Sequence, residues 1–354
     1  MAEDSHEFGH GVKVKKFEGC NMDDTVITSV EGRVGRIHLN RPKALNALDL
    51  PMISAMQAAL DDWRELPEIH AVLVDAEGER AFCAGGDVRT IREQAMAGET
   101  GPIAAFFEAE YHLNQTIADY PKPYVALIDG VCLGGGIGAS VHGSHRIASE
   151  HAMFAMPETA IALFPDVGAT YLLPRLPGAL GMYLALTGAR MVGADAAHAG
   201  WATHYVPRAK LPALREAVAA DGVAMIAGFA EPLPAFSLAP HMALINRAFS
   251  RPSVAGIIEA LQADGSEFAQ TTLATLHGLS PSSIHWSFKI VHAGGHRSLP
   301  ECLAAELDLV KKITVHPEFF EGVRAVVVDK DRAPKWHPAS LEEVDLKVID
   351  EIFL

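Results

Sequence analysis

Residues 124–142, YVALIDGVCLGGGIGASVH, hold the pattern on which the fold is decided. The five apolar residues from Tyr124 to Ile128 read as a strand buried on both faces, because they are bounded by turn residues and too short to form a helix stripe. Asp129 and Gly130 end the strand, Gly134-Gly135-Gly136 follow, and Ile137 to His142 can begin a helix. A similar order occurs upstream. The short apolar strand Ala71 to Val74 meets the turn Glu77-Gly78-Glu79, and then comes Ala81-Phe82-Cys83-Ala84-Gly85-Gly86-Asp87. Strand, glycine loop and helix thus recur, which implies a layered α/β arrangement. Periodicity alone leaves a doubly wound sheet and a spiral of ββα turns both open.

Working toward the N-terminus, Arg33 to Leu39 alternates like a strand and runs into the turn Asn40-Arg41-Pro42-Lys43. A helix is expected next, with Asp49 as N-cap, Pro51 in its first turn and Ile53, Met56, Leu60 and Trp63 forming its buried stripe. Toward the C-terminus strands become scarce after about residue 210 and amphipathic helices take over. Ser253 caps one of them, with Val254, Ile257, Ile258 and Leu261 on one face. Pro232, Pro234 and Pro240 punctuate the junction, so a core over residues 1–208 and a helical region over 209–354 are expected.

The chain of 354 residues, 49% hydrophobic, is long enough for one large domain with an appendage or for two domains. Its net charge of -15 argues against nucleic acid as a partner, since phosphate binding depends on Lys and Arg. One polyanionic small ligand needs only a local cluster. Arg41, Lys43, Arg89 and Arg92 lie beside the glycine motifs and are as readily ordinary surface charges. Cys20, Cys83, Cys132 and Cys302 show no metal spacing and no disulfide density, which suits a reducing, cytoplasm-like compartment. The acidic stretch from Met1 to Gly11 resembles neither a secretory signal nor a transit peptide. No run approaches the roughly 18 apolar residues of a membrane helix.

Glycine loops directly after strands let backbone amides approach a ligand oxygen, and two amides on one oxygen form an oxyanion hole. Tight turns explain the same glycines. A dinucleotide fingerprint is a rival, but the spacing is wrong for it. Glu158 follows Pro157 in an apolar setting, and Asp166 comes eight residues later. Apolar surroundings raise a carboxyl pKa and make a base or nucleophile. Structural alternatives are a helix N-terminal carboxylate at Glu158 and an N-cap at Asp166 for a helix beginning at Val167. Gly-x-Ser-x-Gly is absent. His6 and His10 have helical metal spacing without a third ligand.

Taken together, four stretches resemble the crotonase, or enoyl-CoA hydratase/isomerase, superfamily: Leu39 to Leu48, Ala81 to Asp87, Leu133 to Gly138, and Met156 to Glu158. The resemblance implies an α/β fold, a crotonase-like spiral of ββα units with a helical C-terminal region. A hydratase of this family carries one glutamate at the position of Gly138 and another at Glu158; here the first is glycine. That glycine, the string Met156 to Ile161 with Phe164 to Gly168, the stretch Phe106 to Tyr111 and the stretch Phe320 to Ala325 are most similar to the branch that hydrolyses 3-hydroxyisobutyryl-CoA in valine catabolism.

The same resemblance implies the site. Amides of Gly86 and Gly135 form the oxyanion hole, Glu158 acts as base or nucleophile, and Asp166 holds the 3-hydroxyl or assists proton transfer. Glu110, Lys43, Ala44 and Asp87 contact substrate. The partner is an acyl-CoA, with neither nucleic acid nor membrane involved; no cofactor is expected beyond the coenzyme A of the substrate, and a homo-oligomer is possible for the family. Two other readings stay open: a hydratase or isomerase of the same superfamily, and a non-catalytic acyl-CoA-binding module.

Overall fold

The computed structural model describes residues 14–16 and 24–354. Cys20, His6, His10 and the acidic first residues lie outside the described residues. The chain divides into two compact units. The first comprises residues up to Gly86, His112–Phe154 and Met191–Phe236, and the second comprises Asp87–Tyr111, Ala155–Arg190 and Ser237–Leu354.

The first unit holds the sheets. Strands β1 (Val14–Lys16), β2 (Val26–Glu31), β3 (Val34–Leu39), β4 (Ala71–Ala76), β6 (Tyr124–Ile128), β8 (His145–Ala148) and β11 (His204–Tyr205) form one sheet in that order. The first two pairings are antiparallel and the rest parallel. A second sheet runs β10 (Met191–Val192), β9 (Met153–Ala155), β7 (Val131–Leu133), β5 (Ala81–Cys83).

All five residues of β6 are buried, as a parallel strand covered on both faces requires. One face of the large sheet carries Val34, Leu73, Val125, Leu127 and Ile147, which cluster with Leu211, Leu214 and Val218 of the helix Leu211–Asp221. Each such Val or Leu contributes roughly 1.5–3 kcal/mol on burial. Helix α1 (Leu50–Arg64) packs in the same unit and buries Ile53, Met56, Leu60 and Trp63, the expected stripe. It starts where expected, with the Asp49 carboxylate accepting the Met52 N–H at 3.0 Å.

The second unit is helical. It contains α2 (Val88–Met96), the first part of α3 (Thr100–Ala118) and a run of helices from residue 237 onward. Helix Val254–Asp264 starts at Ser253, whose hydroxyl accepts the Gly256 N–H, and buries the four expected apolar residues. After β11 the described chain holds no further strand. Among the described residues no helix is long and apolar enough to cross a membrane.

Candidate active site

The sequence reading passes directly from β6 to the glycine loop, but Val131-Cys132-Leu133 forms strand β7 between them. This strand matters because β7 and β5 are parallel neighbours, with Ala81 opposite Val131 and Cys83 opposite Cys132. The two glycine loops therefore leave adjacent strands at the same end. Helix α4 (Gly135–Val141) starts directly at the second loop, with Gly134 as N-cap at φ 44° and ψ -116°. Gly135 is the first helical residue, so its N–H has no partner inside the helix. On the first loop Gly85 adopts φ 110° and its carbonyl accepts the Leu48 N–H at 2.8 Å. That bond uses the Gly85 carbonyl and not the Gly86 amide. A Cβ built on Gly136 would stand 2.4 Å from the Cys83 carbonyl oxygen, so glycine is what lets α4 lie against β5.

Lys43 and Ala44 sit in a 3-10 turn, Pro42–Ala44, with Lys43 exposed. Asn46 fixes this turn. Its buried side chain accepts the Arg41 N–H at 2.8 Å and donates to the carbonyls of Glu77 and Ala81 at 3.1 and 2.9 Å. Sequence reasoning quoted Asn46 without a role, although an Asn in a motif that includes a turn is a signal for side-chain to backbone bonding. Asn46→Ala is expected to cost about 1–3 kcal/mol, because buried carbonyls lose their donor. On the reading below it also raises KM for acyl-CoA more than it lowers kcat, which urea titration and steady-state kinetics would measure.

The other cations named from sequence divide differently. Arg41 donates to the Ala47 carbonyl and lies 3.6 Å from Asp49. In the second unit Arg89 donates to the Val327 carbonyl at 2.9 Å and Arg92 to the Phe320 carbonyl at 2.8 Å. Both are engaged in holding the C-terminal segment. Asp87 caps α2, accepting from the Thr90 N–H at 3.4 Å.

The carboxylates gather in the second unit. Glu110 on α3 is 2% exposed, Glu158 6% and Asp166 4%. Glu158 opens a 3-10 turn, Glu158–Ile161, closed by the Leu163 N–H donating to the Glu158 carbonyl at 2.9 Å. The helical region braces that turn: Ser280 N–H donates to the Thr159 carbonyl at 3.2 Å, and Ser283 Oγ donates to the Leu163 carbonyl. A Cβ on Gly322 would fall 2.5 Å from the Ile161 backbone, so this glycine permits the helix Pro317–Val323 to close on the turn.

Asp166 does not cap a helix beginning at Val167. Val167 has φ 53° and Gly168 φ 80°, and the helix Ala169–Leu172 begins only after Gly168. The Asp166 carboxylate instead accepts the Tyr111 hydroxyl at 2.7 Å. Capping falls to Glu306, fully buried on the helix Leu299–Ile313. It accepts the N–H groups of Gly168 at 2.8 Å and Thr170 at 3.1 Å, with the Thr170 hydroxyl as third partner. Sequence reasoning assigned no role to Tyr111 or Glu306. Glu306 carries a legible signal, a charge inside the apolar stripe Leu299, Cys302, Leu303, Leu309, Val310 and Ile313.

Burial pushes Glu158 well above the ordinary carboxyl range, with Asp166 and Glu110 adding repulsion. Burial likewise lifts Glu110, again with Asp166 contributing. Asp166 is pushed up to about 6 by burial, restrained by the Tyr111 hydroxyl and a backbone bond. Burial takes Glu306 up to about 8 against its three donors. Neighbouring carboxyls with separated pKa values are how one site holds both an acid and a base near neutrality. One Oε atom each of Glu110 and Glu158 is buried without a hydrogen-bond partner, ready for a ligand group.

The raised values affect stability. Between about pH 4.5 and 8 the folded chain keeps a proton on Glu306 that the unfolded chain has released, so this group's contribution declines as pH rises. Thermal melts from pH 5 to 8.5 are expected to show a steeper decline in the wild type than in Glu306→Gln. The difference is at most about 1.4 kcal/mol per pH unit.

Known proteins resemble this chain over nearly its whole length. The model of the enoyl-CoA hydratase/isomerase family matches residues 34–353. The chain is 47% identical over 343 residues to a Xenopus tropicalis protein named 3-hydroxyisobutyryl-CoA hydrolase, mitochondrial, covering 94% of this chain and 89% of the relative. A human protein of the same name is 45% identical, with 91% and 86% covered. Among solved structures, a carnitinyl-CoA dehydratase from Mycobacterium thermoresistibile superposes with TM-score 0.90 at 39% identity, covering 94% and 97%. An enoyl-CoA hydratase from Rhodobacter sphaeroides gives 0.88 at 37%, covering 93% and 97%. With the spiral ββα core, the helical C-terminal region and a family match spanning nearly every described residue, the chain belongs to the enoyl-CoA hydratase/isomerase family.

Proposed function

We propose that this protein hydrolyses the thioester of 3-hydroxyisobutyryl-CoA, or of a close short 3-hydroxyacyl-CoA, to the free acid and coenzyme A. The observation that carries this reading is the carboxylate inventory. The turn at Glu158 supplies a buried glutamate whose base strength is raised by its surroundings, while α4 supplies glycine at Gly138. Two-carboxylate addition of water to a double bond lacks a partner there. The names of the curated relatives support the hydrolase direction.

The roles are those that the resemblance to the family implies, and the chemistry of each group suits them. The amides of Gly86 and Gly135 take the thioester oxygen and stabilise the charge that develops on it as the carbonyl becomes tetrahedral. Ionised Glu158 either removes a proton from the attacking water or attacks the carbonyl itself, giving a mixed anhydride that water then cleaves. In both routes the C–S bond breaks, and the leaving thiolate takes up a proton. Asp166 receives the substrate 3-hydroxyl or passes a proton, with Tyr111 orienting it. Glu110 closes the acyl pocket, and Lys43, Ala44 and Asp87 contact the substrate.

Coenzyme A enters as part of the substrate, and this chemistry calls on no further cofactor. A step in valine catabolism suits that substrate. The reading also includes a cytoplasmic setting and assembly into a homo-oligomer. Buried Cys83, Cys132 and Cys302, none of them in a disulfide among the described residues, suit a reducing compartment, whether cytoplasm or the mitochondria named for the relatives.

The test is thiol release from 3-hydroxyisobutyryl-CoA followed with a thiol-reactive dye, beside crotonyl-CoA hydration. Thiol release supports the hydrolase. Because the solved relatives carry hydratase and dehydratase names, hydration without thiol release would move the protein to that side of the family.

A further inference from the structure

The loop that carries Asp166 holds a conformation it would not adopt unaided. Val167 is β-branched and sits at φ 53°, a left-handed region that costs such a residue of order 1–3 kcal/mol. The following helix, Ala169–Leu172, is one turn long and has glycine as its N-cap, so no capping side chain at its start accepts a backbone N–H. Glu306 supplies the acceptor from a helix about 140 residues further along the chain, a separation the hydrogen bonds span as 138 and 136 residues.

We infer that Glu306 is a positioning residue for hydrolysis, bracing the 166–170 loop so that the Asp166 carboxylate stays on the Tyr111 hydroxyl and presents its other oxygen to the substrate. Three bonds of one carboxylate define the brace. Oε2 accepts the Gly168 N–H, and Oε1 accepts both the Thr170 N–H and its hydroxyl. The Asp166 carbonyl is fixed in turn by the Ala169 N–H at 2.8 Å. Glu306 thus acts on Asp166 through two flanking residues and the backbone. When the Glu306 carboxyl is protonated, its proton turns to the Thr170 hydroxyl oxygen and both amide bonds persist. A glutamine cannot do this: whichever way its amide faces, its NH2 meets one of the two backbone N–H groups.

The inference rests on the proposed hydrolase reading for its kinetic consequence, and its test separates the two. Glu306→Gln and Glu306→Ala are compared with the wild type in amide hydrogen exchange and in thiol release from 3-hydroxyisobutyryl-CoA, alone and combined with Asp166→Asn. Exchange at the Gly168 and Thr170 amides is expected to quicken about tenfold in Glu306→Ala and less in Glu306→Gln. Thiol release kcat falls in the same order, by about tenfold or more in Glu306→Ala, with KM changed less than about twofold. In the Asp166→Asn background Glu306→Ala adds no further loss of kcat. Equal loss in both backgrounds, or unchanged kcat in both single variants, would overturn the positioning role. If Glu306→Ala does not fold, Glu306→Gln supplies the same cycle. Altered exchange together with a wild type that releases no thiol would leave the brace standing and remove the hydrolase reading instead, and with it the kinetic part of the inference.

Discussion

Glu158→Gln lowers thiol release from 3-hydroxyisobutyryl-CoA by about 10²–10⁴-fold, the range associated with loss of a positioned general base. The substitution keeps the shape of the side chain and removes only its ability to ionise, so the turn Glu158–Ile161 and its serine brace from residues 280 and 283 are retained. Stability moves the other way. Burial raises the Glu158 pKa in the folded state, so above pH 4.5 the wild type must either hold a proton or bury a charge, and glutamine removes that cost. The variant is therefore expected to melt at or above the wild-type temperature at pH 8 while losing turnover. In the wild type kcat/KM falls as pH is lowered, because protonation removes the base, and the midpoint of that limb lies above 4.5. A variant retaining more than about a third of wild-type turnover would assign the central step to another group.

What the sequence made legible, and what it hid, follows from the range of the interactions. The start and the buried stripe of helix α1 could be read because Asp49, Pro51 and the apolar residues lie within one short window. The same holds for the helix capped by Ser253 and for strand β6, whose burial on both faces leaves an unbroken apolar run. Strand β7 was hidden, since three residues between glycines carry no period and are made a strand by pairing with β5, about 50 residues away. Asp166 shows the limit most clearly. Its position before Gly168 has the local pattern of an N-cap, yet Tyr111 takes the carboxylate and Glu306 does the capping. Both partners are distant in sequence, and local propensity yields to them. The resemblance to the family located the glycine loops and the carboxylates. The three bonds by which Asn46 anchors the segment around the 3-10 turn at Lys43 reach residues 41, 77 and 81, and the last two lie too far along the chain to be read locally.

Gly136→Ala is expected to disrupt the second glycine loop severely. Its Cβ would lie 2.4 Å from the Cys83 carbonyl oxygen, 2.9 Å from the Cys83 Cβ and 3.1 Å from the Cys83 carbonyl carbon. Two of the three are backbone atoms of β5, which pairs with β7, so no side-chain rotation relieves the clash. Helix α4 must lift from the strand. Its seven residues are all buried, and overpacking of such an interior costs about 1–3 kcal/mol, occasionally more. The effect on rate is expected to exceed the effect on folding. Gly135 is the neighbouring residue, and on the proposed mechanism its N–H must stand within hydrogen-bond distance of the developing oxyanion. Losing one oxyanion donor typically costs about 10²–10³-fold in kcat. Free coenzyme A, which has no thioester oxygen, should still bind to the folded variant with affinity within a few-fold of wild type. Calorimetric titration with coenzyme A beside thiol-release kinetics therefore separates the possibilities. Retained binding with collapsed kcat places Gly135 in the oxyanion hole, while parallel loss of binding and turnover at temperatures below the melting transition would instead make this loop a scaffold for the coenzyme A site.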